Sequence, residues 1–159
     1  MKETIFESFE TKPAALWKTI LVPIDFSEGS KEAVKVAVCL AEQCSAKLTL
    51  LHVVQLSPAD AIETGTAAYE AMDSARRSLD QMAEEIPAEL VSQKVVCFSG
   101  EGVSRKIIQT AREISSDLIV LATHAYGFFK RALLGSTTAS VNRDAPCEVL
   151  VVRQRQVCR

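Results

Sequence analysis

Five short β-forming segments alternate with helical patterns along this 159-residue chain, and four of them are nearly unbroken runs of Val, Ile and Leu. Those four are Lys18–Asp25, Lys47–Val54, Leu118–Leu121 and Glu148–Val152; the exception is a shorter third strand, Lys94–Phe98. A strand with one face in water alternates polar and apolar residues. A continuous apolar run is buried on both faces, as in a parallel sheet covered by helices. The intervening segments carry helical stripes: Ala33, Ala37, Ala41 and Cys44 after Ser27, then Ala68, Met72, Ala75, Leu79 and Met82 before Pro87. Val103, Ile107, Ala111 and Ile114 form a third stripe, and Ser136–Asp144 reads as a short helix. Strict β–α alternation predicts one doubly wound α/β domain from Lys18 to about Arg153. Met1–Trp17 is then an N-terminal extension and residues 154–159 a C-terminal tail.

Bulk properties narrow the function classes. Hydrophobic residues make up 48%, which excludes a disordered or fibrous chain. With 18 basic and 20 acidic residues the formal charge is −2, without the basic excess of a nucleic-acid binder. No apolar run approaches the roughly 20 residues of a membrane helix, and Met1–Trp17 lacks the apolar stretch of a signal peptide. The expectation is a cytoplasmic protein that engages neither nucleic acid nor membrane. The five cysteines form no Cys-x-x-Cys pair or zinc-type spacing, so no structural metal is expected and most should be small buried residues.

The stretch from Ala122 to Thr138 carries the strongest functional signal. A strand leads into a loop that ends in Gly135-Ser-Thr-Thr138, which reads as the first turn of a helix. Backbone N–H groups at a helix start have no intrahelical acceptor and can cradle a phosphate. Open α/β sheets bind ligands at the carboxyl ends of their strands, which places Asp25, the Val53-Val-Gln55 exit and the Ala122 loop on one edge. A side chain at Gly135 is expected to crowd the turn, and to strain it if φ is positive. His52 reads as a packed, hydrogen-bonded strand histidine. His124 follows a strand end, but no nucleophile elbow or carboxylate pair accompanies it, so no catalytic residue is assigned.

Ile20-Leu-Val-Pro-Ile-Asp-Phe-Ser27, Leu50-Leu-His-Val53, Asp117-Leu-Ile-Val-Leu-Ala-Thr-His124, Leu134-Gly-Ser136 and Ala145-Pro-Cys-Glu-Val-Leu-Val-Val152 occur in this order. Together they resemble a single-domain universal stress protein over nearly the whole chain. The resemblance implies a five-stranded parallel sheet of order 3-2-1-4-5, Rossmann-like and of the adenine-nucleotide alpha-hydrolase type. It also implies homodimers, often paired through the last strand, here Glu148–Val152. ATP-binding members carry Gly-x-x-Gly, nine residues, then Gly-Ser or Gly-Thr. This chain keeps the spacing but has Ala122 and Ala125 in place of the two leading glycines.

By position, the resemblance puts Pro23 and Asp25 beside the adenosine, with Val53 meeting the base through its backbone. Leu121 and Ala122 floor the pocket, and Gly135, Ser136, Thr137 and Thr138 hold the phosphates by N–H and hydroxyl groups. Ala125 adds a Cβ where a glycine would approach the phosphates, so Ala125→Gly is expected to tighten binding. Three readings stay open. The chain binds ATP, or AMP or ADP, as a ligand or signal, with Mg²⁺ only as the nucleotide's counter-ion. Alternatively, it is a stress protein with an empty pocket that acts on unknown protein partners. A slow ATPase is the third, and no residue specifically supports it.

Overall fold

The computed structural model describes residues 16–55, 65–123 and 135–153. Five strands, β1 (Thr19–Ile24), β2 (Lys47–Gln55), β3 (Val91–Ser99), β4 (Leu118–Thr123) and β5 (Glu148–Arg153), form one parallel sheet of order β3-β2-β1-β4-β5. The helices are α1 (Glu28–Cys44), α2 (Gly65–Glu84), α3 (Val103–Glu113) and α4 (Ser136–Asp144). The sequence pattern placed all of these elements, and the strand order is the one the resemblance implied.

Period-2 alternation divides the central strands between two cores. Ile20, Val22, Leu48, Leu50, Leu118 and Val120 face α1 and α2, and all are essentially inaccessible. Leu21, Leu51, Ile119 and Leu121 face α3 and α4, where they meet Ile107, Ala111 and Val141. Burial on both faces is why β1, β2 and β4 read as unbroken apolar runs. At the amino edge, Asp117 Oδ2 accepts from the backbone N–H groups of Lys18 (2.8 Å) and Thr19 (2.9 Å), fixing the start of β1 beside that of β4.

Two expectations need correction. β3 is nine residues long, not a short strand, because it begins at Val91. Its first half, Ser92-Gln-Lys94, is exposed on the sheet's outer edge, so it carries no apolar signal. Nor are the cysteines buried: Cys39 is exposed and Cys44, Cys97 and Cys147 are half-buried. Burial still pushes the Cys97 and Cys147 thiols above their ordinary pKa, which leaves less of the reactive thiolate. Cys158 lies outside the described residues.

Candidate nucleotide site at the strand ends

A right-handed crossover after β1 carries α1 over one face of the sheet toward β2; the connection after β4 carries α4 over the opposite face toward β5. The chain therefore parts in opposite directions at the carboxyl ends of β1 and β4, which is where open α/β sheets leave a crevice. A cavity of about 270 Å³ lies there. Pro23 and Asp25 border it from β1, Val53 from β2, Leu121 and Ala122 from β4, and Thr137 and Thr138 from α4. Seven of the residues named from the sequence are thus brought together. Gly135 and Ser136 stand in the same helix start without lining the cavity. Ala125 lies outside the described residues, as does His124.

Asp25 is held by the turn that follows it. Its Oδ1 accepts from the backbone N–H of Ser27 (3.0 Å) and from the Ser27 hydroxyl (2.6 Å). The Ser27 oxygen in turn accepts from the Ser30 N–H at 3.2 Å and caps α1. Making this turn puts Phe26 at φ 63, a left-handed backbone that costs an L-residue about 1–2 kcal/mol. The Phe26 ring packs against His52, with centroids 4.6 Å apart. His52 Nδ1 lies 2.8 Å from the Ile24 carbonyl, which can only accept, so this nitrogen carries the proton. The histidine is structural, as its place in the strand predicts.

The α4 start differs from expectation in two respects. Gly135 has φ −56 and ψ 153, the extended geometry of an ordinary N-cap, and an added Cβ would meet nothing within 4 Å among the described residues. The expected crowding and positive φ are therefore absent. Thr138 is buried, and its hydroxyl donates to the Ala122 carbonyl at 3.2 Å. That proton is not offered to a phosphate; it ties the first turn of α4 to the end of β4. What the helix start presents is its backbone: its N-cap is a glycine, no side-chain cap is bonded there among the described residues, and no acidic residue stands in the first turn.

Ala122 is also explained. Strand alternation directs it away from Leu121, onto the α1 side of the sheet. There it faces Gly29 in the first turn of α1, where a Cβ built on Gly29 would lie only 3.3 Å from the Ala122 methyl. A glycine across the interface makes room for the methyl at 122, so this alanine does not close the cavity.

Sequence reasoning left out part of the wall. Leu51, Val103 and Ile107 supply apolar surface, and Ser30 and Gln55 add polar groups. Val103 and Ile107 were recognised as a buried helix stripe. The signal for their second role is that the connection from β3 back to β4 must begin α3 at the carboxyl edge. Among the described residues no cluster of His, Cys, Asp or Glu could hold a metal ion, and no helix is long and apolar enough to cross a membrane.

A five-stranded doubly wound sheet with a crevice between β1 and β4 defines an α/β domain of the adenine-nucleotide alpha-hydrolase-like class. The universal stress protein family model matches residues 16–153. A universal stress protein of Methanocaldococcus jannaschii is 30% identical over 162 residues, covering 97% of this chain and 92% of its own. Among solved structures, universal stress protein UspA from Lactobacillus plantarum is 30% identical with a TM-score of 0.63, over 86% of this chain and 97% of that one. The universal stress protein from Archaeoglobus fulgidus in complex with dAMP gives a TM-score of 0.61 at 17% identity, over 86% and 98% of the two chains. That last likeness is one of fold. The chain belongs to the universal stress protein family.

Proposed function

We propose that this chain is a stress-response module that binds ATP, or the related AMP or ADP, at the carboxyl edge of its sheet. The observation that carries this reading is the pairing of an apolar-walled cavity with a helix start that no described side chain caps. Leu51, Val53, Ile107 and Leu121 line the cavity and offer surface for a base, whose edge the resemblance assigns to the Val53 backbone. The Asp25 carboxylate suits a ribose hydroxyl, a donor it can accept from. The N–H groups of Ser136, Thr137 and Thr138 suit phosphate, and Mg²⁺ would enter only as counter-ion. These residues bind and orient; none is assigned to hydrolysis. Acid extraction of the purified protein followed by chromatography tests the reading. Co-eluting adenine nucleotide, or protection from melting by added ATP, is the expected result. Neither effect would favour the second reading, a stress protein acting through protein partners. That reading draws on the size of the cavity, just under the roughly 300–1,000 Å³ of ordinary ligand pockets.

The proposed assembly is a homodimer through β5. This strand lies at the sheet's edge, and Leu150 points outward at 37% exposure. An edge strand with an exposed leucine is a template for pairing unless another chain covers it. Val149 and Val151 pack into the α3–α4 core, so lysine at Leu150, and not at Val151, is the substitution that tests the interface without injuring the fold. Leu150→Lys should shift the protein toward monomer in sedimentation; a wild type already monomeric at about 50 µM would contradict the dimer.

A further inference from the structure

We propose that the groove between α1 and α2 is the seat of the chain's own N-terminal segment, received through Ile5, Phe6 and Phe9. The groove has a volume of about 750 Å³, larger than the strand-end cavity, and lies on the other side of α1 from it. Val34, Val38, Met82 and Ile86 line it, and all four belong to the α1–α2 core. The groove is amphipathic: Val34 and Ile86 are buried in its floor and Glu28, Lys31, Lys35 and Glu85 line it beside them, so it fits a segment with one apolar and one charged side.

The chain itself leads there. Trp17 packs on the same core that lines the groove, so the described chain begins on the groove's face of the sheet. Leu16, 70% exposed, continues the apolar path outward from Trp17. Helices α1 and α2 both run from the carboxyl edge of the sheet to its amino edge. The end of the groove built by Met82 and Ile86 is therefore the end at which β1 begins.

Reach and pattern agree with this placement. The seven residues from Leu16 back to Phe9 span up to about 24 Å when extended. That matches the length of a 17-residue helix such as α1, roughly 25 Å. Plotted at helical spacing, Ile5, Phe6 and Phe9 fall toward one side and Glu3, Glu7 and Glu10 toward another. Such a segment can cover an apolar trough and leave its carboxylates in water. A purely solvated tail has no use for two phenylalanines and an isoleucine within five residues.

Cys39 reports on occupancy, because it lines the groove and is an exposed residue there. The full-length protein is pulsed with an isotopically coded alkylating reagent, and each cysteine is read by peptide mass spectrometry. Phe6→Asp with Phe9→Asp should speed labelling of Cys39 about tenfold relative to wild type, the ratio for a contact favoured by ~1.4 kcal/mol. Cys147, on the opposite face, should keep its rate and so show that the fold is intact. Equal Cys39 rates in the two proteins would overturn the proposal. Protection that disappears on about hundredfold dilution would also overturn it, by assigning the groove to a second copy's segment. A second variant does not depend on destabilising substitutions: mild oxidation of Phe9→Cys should join that thiol to Cys39 within one chain. A linkage to Cys147, or only between chains, would contradict the seat.

Discussion

Helices α1 and α4 both begin at the carboxyl edge of the sheet, a few residues from the same cavity, and their first turns are finished in opposite ways. At α1 the Ser27 hydroxyl oxygen accepts from the Ser30 N–H, Asp25 clasps Ser27, and Glu28 adds negative charge to the first turn. A side-chain cap and a first-turn carboxylate both satisfy the positive helix end there. At α4 the N-cap is Gly135, with no side-chain bond and no acidic residue in the first turn, while Arg143 stands in the last. A helix with an uncapped start is less stable alone than one that is capped. N–H groups that no described side chain caps are completed by something else, and the proposed function assigns that part to a phosphate. The contrast sets a helix start closed by its own side chains against the one to which the proposed function assigns the phosphates, although both sit on the same fold and edge.

The tightest link between the two regions is the contact of Gly29 with Ala122. Gly29→Ala would press a methyl within 3.3 Å of the Ala122 side chain. The expected cost is about 1–2 kcal/mol, the lower part of the range for overpacking, partly offset by alanine's better helix propensity. Adding Ala122→Gly should reverse the sign, so that Gly29→Ala becomes stabilising by up to about 1 kcal/mol. Denaturant melts on all four proteins give the coupling. Additive effects would mean that the two residues do not share this space.

Ser27→Ala removes the cap of α1 and should cost about 1 kcal/mol in the same melts. The matching change at α4, Ser136→Ala, should cost only a few tenths of a kcal/mol, because no capping bond is lost there. Equal losses would erase the difference between the two helix starts.

The smallest effect is electrostatic. Lys31 hydrogen-bonds the Glu28 carboxylate and lowers its pKa below the ordinary 4.5. A carboxylate held below its unfolded value stabilises the fold above that pH and loses this contribution as acid protonates it. Glu28→Gln should therefore lower stability slightly at neutral pH and converge on the wild type as the pH falls below about 4.5, which flattens the acid limb. A loss at neutral pH as large as that of Ser27→Ala would show that the charge, not the cap, closes the α1 start.

What could be read from the sequence follows the same physics. The unbroken apolar runs of β1, β2 and β4 announce burial on two faces, and the Ser27 cap is visible because serine before a helical stripe has one dominant use. The start of β3 at Val91 was hidden, since an edge strand facing water needs no apolar residues at Ser92, Gln93 or Lys94. Seven residues of the cavity wall were reached through strand ends and family spacing, but not their contacts. Whether the Thr138 hydroxyl faces a ligand or the Ala122 carbonyl depends on how α4 leans on β4, a contact across 16 residues that no local pattern encodes. The partnership of Ala122 with Gly29 is non-local in the same sense, though the parity of β4 does show which way Ala122 points.

The central claim is that the open start of α4 receives the phosphates of a bound adenine nucleotide, and Gly135→Asp tests it most directly. Gly135 already has N-cap geometry and room for a side chain among the described residues, so aspartate should cap the helix and raise apo stability by a few tenths of a kcal/mol. The same carboxylate would oppose phosphate. Calorimetry should then show ATP binding weakened about tenfold or more, on the scale of lost charge-assisted hydrogen bonds, with adenosine binding unchanged. A variant that binds ATP as the wild type does, or loses adenosine and ATP equally, would contradict the placement of the phosphates at α4.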